Sequence, residues 1–121
     1  MKIVLPWPDM SLMPNRKNGR HWAGTQAAKV RARQDGYYAA KEVKEGTCLP
    51  DGNIPLRITF MAPDKRHRDL DNLLAAMKAS LDGIAQALGV DDKQFRPITV
   101  DAGCSENKTG RVIVEVGNGI A

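Results

Sequence analysis

The sequence predicts one small α+β domain, a mixed sheet of about four strands with two main helices in the order β-α-β-α-β-β. Three patterns carry that expectation: an alternating apolar run at 54–60, an apolar stripe of helical spacing at 72–88, and a second alternating run at 111–116. With 121 residues, no repeat, no low-complexity segment and no linker, residues 1–121 form a single domain able to bury its own core.

Ile3-Val4-Leu5 is a short strand that stops at Pro6-Trp7-Pro8, because proline lacks the amide that a ladder needs. A loop through Pro14-Asn15-Arg16-Lys17-Asn18-Gly19 leads into a helix over about 21–43, which has several alanines and no proline. Apolar or aromatic residues recur in it at Trp22, Ala27, Val30, Tyr37, Tyr38 and Val43, and Gly46 helps to end it. In 54–60, Ile54, Leu56, Ile58 and Phe60 share one face of a half-buried strand. Leu73, Met77, Leu81, Ile84 and Leu88 then line one stripe of a second helix over 72–88, with Gly89 as its C-cap. Strands are expected near 96–102 and at 111–116, with Lys108-Thr109-Gly110 as a hairpin turn between them.

Eighteen Lys and Arg against fourteen Asp and Glu give a formal charge of +4 and a pI near 9.3. The basic residues crowd into 15–33 and 65–68, which favours a polyanionic partner. Cys48 and Cys104 are far apart and belong to no metal-binding motif, so reduced thiols and a cytoplasmic location are expected. The apolar run at the N-terminus is too short for a signal peptide, and no stretch is long enough to span a bilayer.

Function concentrates in Lys65-Arg66-His67-Arg68-Asp69-Leu70-Asp71-Asn72, answered downstream by Asp91-Asp92. Carboxylates set in a cationic surface repel nucleic acid unless a divalent ion lies between them, which points to metal-dependent phosphodiester chemistry. In an extended backbone Asp69 and Asp71 point to the same side while Leu70 points to the core. Asp92, or Asp91, supplies a third acid only if the loop after the second helix returns toward that helix's start, about 25 Å away. Oxygen ligands of this kind select Mg²⁺ or Mn²⁺. Helix capping is the competing explanation for Asp69 and Asp71, since an Asp at an N-cap satisfies orphan amides.

Lys78 falls on the helix face of Asp71, Ala75 and Asp82, where an ammonium would stabilise charge on a phosphoryl or leaving oxygen. Spacing alone favours a surface pair with Asp82. Lys65, Arg66 and Arg68, with Arg16, Lys17 and Arg20 in the earlier loop, are candidate phosphate contacts. Trp7 and Trp22 are expected as core or interface anchors.

These residues together resemble the RusA family of Holliday junction resolvases, small homodimeric, Mg²⁺-dependent endonucleases of bacteria and their prophages. The resemblance runs through Leu5-Pro6-Trp7-Pro8, Pro14-Asn15-Arg16, residues 63–73, Leu81-Asp82-Gly83 and Gly89-Val90-Asp91-Asp92. It implies that Asp69, Asp71 and Asp92 are the essential carboxylates, with Asp91 as a neighbour that assists. The family's catalytic lysine usually comes four residues after the second motif aspartate, where this chain has Ala75. Three residues inserted early in the helix would let Lys78 and Asp82 recover the family's spacing, with Lys78 still facing the site. The resemblance further implies paired symmetric cuts in four-way DNA by a homodimer, with 5′-phosphate products and neither a membrane nor a nucleotide cofactor. A non-catalytic branched-DNA-binding protein and a nuclease for flaps or other branches are the alternatives.

Overall fold

The computed structural model describes residues 1–13, 22–44, 49, 51–104 and 108–117. Its elements are β1 (Lys2–Pro6), a 3₁₀ turn at Met10–Leu12, α1 (Trp22–Lys44), β2 (Ile54–Ala62), α2 (Leu70–Ala76) and α3 (Lys78–Leu88). A 3₁₀ turn at Asp92–Gln94, β3 (Phe95–Cys104) and β4 (Arg111–Val116) complete them. The α+β architecture agrees with the sequence expectation.

The four strands form one mixed sheet in the order β1-β4-β2-β3, with β2 parallel to β3 and antiparallel to β4, and β1 antiparallel to β4. Alternation decides which strands are central. Ile54, Leu56, Ile58 and Phe60 of β2 and Val112, Val114 and Val116 of β4 are all buried, each strand sending every second side chain into the core. Ile3 and Leu5 extend that face through β1, and Leu73, Met77, Leu81, Ile84 and Leu88 cover it from the helical side.

The expected hairpin between the last two strands does not form. β4 pairs with β2 and β1, so the turn before it carries the chain across β2 rather than folding β4 onto β3. The reason is compositional: β4 has the buried alternation of a central strand, whereas β3 buries only Phe95 and lies at the edge.

The expected second helix is two helices. At Met77 the backbone reaches φ −90° and ψ −1°, and its amide bonds to the Leu74 carbonyl at 3.0 Å, a tighter 3₁₀-type closure that breaks the regular ladder. Met77 itself is fully buried, so the core holds the bend in place. Beyond it α3 lies along α1, whereas α2 touches β3.

Glycines set the approach of α1 to α3. A Cβ on Gly83 would lie 2.0 Å from the Arg33 carbonyl oxygen, and one on Gly36 would lie 2.2 Å from that of Ser80. The backbones therefore meet directly, which explains a glycine inside the first helix. Gly89 ends α3 with φ 71°, the left-handed C-cap expected there.

Candidate metal and nucleic-acid site

The loop from β2 to α2 is shaped by Asp64. Its Oδ1 accepts the Arg66 amide at 2.9 Å, an Asx turn that reverses the chain immediately after Pro63. That amide, and then the Arg66 guanidinium, hold the Asp64 carboxyl down at about 2. Arg68 is drawn inward by the same residue: its Nη2 lies 3.0 Å from Asp64 Oδ1, and its Nη1 donates to the Arg66 carbonyl at 3.0 Å. The guanidinium also sits 5.3 Å from the centre of the Trp7 ring, which packs edge-on to Phe60 at 6.1 Å. In consequence the Arg68 side chain is only 20% exposed, while those of Arg66 and His67 are 80% and 90% exposed.

Asp69 follows at the N-cap of α2, yet its side chain makes no capping hydrogen bond. It is met instead by His67 Nε2, 3.3 Å from its Oδ1. Asp71 lies within the first turn of the helix, with its Oδ1 accepting the Asn72 amide at 3.0 Å. Asp69 keeps an extended backbone as the N-cap, at φ −76° and ψ 131°. The chain is helical from Leu70 on, however, so the extended geometry expected for the whole segment does not hold, and Leu70 is 41% exposed rather than in the core.

The second half of the site lies on α3 and the turn after it. Past Gly89 the chain doubles back, and Asp92 Oδ2 comes to 2.6 Å from Lys78 Nζ, fourteen residues earlier. Asp82 Oδ1 holds the same ammonium at 3.0 Å. The Lys78 pKa is raised by Asp92 first and Asp82 second, and the Asp92 carboxyl is lowered chiefly by Lys78 and then by Asp91. Asp91 is occupied differently: it caps the turn at Asp92–Gln94, accepting the Lys93 amide at 2.9 Å while Gln94 reaches back to its own amide. Lys78 and Asp92 line a pocket of about 290 Å³ with Leu74, Ala75, Leu81, Phe95 and Ile98.

Sequence comparison bears on this arrangement. The chain is 35% identical over 118 residues to an uncharacterized protein of Xylella fastidiosa, covering 94% of this chain and 74% of that protein. It is 32% identical over 124 residues to the crossover junction endodeoxyribonuclease rusA of Enterobacteria phage 82, covering 96% of this chain and 95% of the phage protein. The chain belongs to the RusA family. No family model matches it.

Set against the RusA resemblance, the structure joins Lys78 to Asp92 and leaves Asp69 at the N-cap and Asp71 in the first turn of α2. Among the described residues no group of three or more His, Cys, Asp or Glu side chains is gathered so as to hold a metal ion. Lys78 does not share a continuous helix face with Asp71, since the break at Met77 intervenes, but it does share its pocket with Ala75, the family's usual lysine position. Lys65 and Arg66 are exposed, Arg66 with its guanidinium 3.3 Å from Asp64, while Arg16, Lys17 and Arg20 lie outside the described residues. Trp7 is the anchor the sequence suggested; the Trp22 side chain, His21, Gly46 and Cys48 lie outside the description. Sequence reasoning missed Asp64 as the organiser of the basic loop, although Pro-Asp before a basic run is a readable turn signal. Among the described residues no helix is long and apolar enough to cross a membrane.

Proposed function

We propose that this protein is a Mg²⁺-dependent endodeoxyribonuclease that resolves four-way DNA junctions by paired symmetric cuts, acting as a homodimer. The observation that carries the reading is the return of Asp92 to Lys78 at 2.6 Å, which assembles a lysine and an acid of the RusA pattern in a chain whose lysine is displaced in sequence. The phage 82 relative, matched over almost its full length, is named for cutting crossover junctions.

The carboxylates suit a hard divalent cation in kind and availability. Asp69 stands at a helix start without spending its oxygens on capping, and it is exposed. In this reading Asp69, Asp71 and Asp92 hold the ion, with Asp91 beside them supporting the turn that carries Asp92. A bound Mg²⁺, or Mn²⁺ in its place, would supply positive charge to the phosphoryl oxygens and acidify an attacking water. Lys78 supplies the complementary charge: its ammonium faces the departing 3′ oxygen as negative charge develops there, leaving 5′-phosphate ends. Lys65 and Arg66 bind phosphates flanking the scissile one, and Arg68 contributes from its position against Trp7. Two identical sites related by a two-fold axis meet the need for two cuts in a four-way branch.

The test is cleavage of a synthetic four-way junction in Mg²⁺ by the Asp71→Asn variant. Loss of cutting with junction binding retained is the expected result. Cutting at the wild-type rate would remove Asp71 from the site, and failure of both proteins to cut in Mg²⁺ or Mn²⁺ would favour a branched-DNA-binding module.

A further inference from the structure

We infer that Asp82 is a positioning residue for Lys78, holding the lysine ammonium at the site from one turn further along the same helix. This rests on the reading of Lys78 given above. Lys78 Nζ sits between two carboxylates, Asp82 Oδ1 at 3.0 Å and Asp92 Oδ2 at 2.6 Å. Of the two, Asp92 is assigned to the metal, so its oxygens are shared, whereas Asp82 has no metal role in that reading.

The platform under Asp82 is firm. It directly precedes Gly83, where the backbone of α3 meets that of α1 too closely to admit a side chain. A lysine carries a long flexible stem with many rotamers, and a carboxylate one turn away narrows that freedom before DNA arrives. The displacement of the lysine from position 75 to 78 fits this role. A lysine at 75 would have Ala79 four residues on, whereas Lys78 has Asp82. As a mere surface pair, an exposed i,i+4 bridge would contribute little to stability and would leave turnover unchanged.

The test is single-turnover cleavage of a four-way junction by the full chain in Mg²⁺, with junction binding and thermal melting measured alongside. Lys78→Met is expected to slow the cut by on the order of a hundredfold. Asp82→Asn should slow it by roughly ten- to a hundredfold with binding unchanged, and Asp82→Glu should recover part of the loss. In the Lys78→Met background, Asp82→Asn should cost nothing further. A variant that leaves position 82 untouched, Ala75→Lys with Lys78→Ala, should remain slow, because its lysine has no carboxylate partner one turn on.

Wild-type cutting by Asp82→Asn, an undiminished Asp82→Asn effect in the Lys78→Met background, or wild-type cutting by the relocated lysine would each overturn the inference. If Asp71→Asn and Lys78→Met are inactive while Asp82→Asn cuts normally, only the Asp82 role fails. If Asp71→Asn or Lys78→Met cuts at the wild-type rate, the reading of the site fails with it.

Discussion

The two halves of the candidate site are built differently. Asp69 and Asp71 sit on a loop and at the start of a short helix whose polar side-chain contacts are local: Asp64 to Arg66 and Arg68, and His67 to Asp69. Arg68 stacked on Trp7, Leu73 in the core and α2 against β3 tie this segment to the rest of the molecule. Lys78 and Asp82 sit on a helix seated backbone to backbone on α1, and Asp92 is delivered by a turn with its own capping box. The helix that carries the lysine is thus fixed by the core, while the carboxylates of the basic loop stand on a locally held segment. In the proposed reading the acids must admit an ion and a bulky polyanion, and the cationic group is held by a firmer helix.

Packing at the α1–α3 contact should show the largest effect. Gly83→Ala puts a methyl where only 2.0 Å separates it from the Arg33 carbonyl oxygen, so the helices must part. A loss of about 3 kcal/mol is expected, seen as a lower urea midpoint with the slope unchanged. A variant as stable as the wild type would break the contrast between a core-held half and a locally held one. Arg66→Ala, 80% exposed in its side chain, should leave stability unchanged. It should weaken junction binding and reduce the salt dependence by about one counterion. An unchanged salt slope would remove Arg66 from the DNA contact.

The smallest effect concerns Asp64. Its carboxyl is held at about 2, below the ordinary value of 3.8, so whatever the Asx turn adds to loop order is fully present above pH 3.8 and lost as pH falls through about 2. Following the Asp64 carboxyl by NMR should therefore give a midpoint near 2. A midpoint near 3.8 would mean that Arg66 does not hold it.

Much of this arrangement is written in the chain. The alternation of Ile54, Leu56, Ile58 and Phe60, and of Val112, Val114 and Val116, marks strands whatever their neighbours. The Asp-x-Asp-Asn core and the later Asp-Asp are where the sequence puts the candidate acids. Pairing order is less legible, because β3 has no buried alternation to announce its place at the edge and its parallel partner is decided by the whole sheet. The break at Met77 is hidden too, since an apolar stripe reads the same through a bend as through a straight helix. The meeting of Asp92 with Lys78 depends on the return of the chain past Gly89, a long-range event that spacing does not encode. It is also what gives the displaced lysine its place.

In the proposed site the two halves act on one ion. A crystal structure of the full chain grown with Mn²⁺ tests it most directly, by the anomalous signal of the metal. The predicted result is a peak at roughly 2.0–2.3 Å from carboxylate oxygens of Asp69, Asp71 and Asp92, with Lys78 still anchored by Asp82. A peak elsewhere, or none while Asp92 stays closed on Lys78, would contradict it.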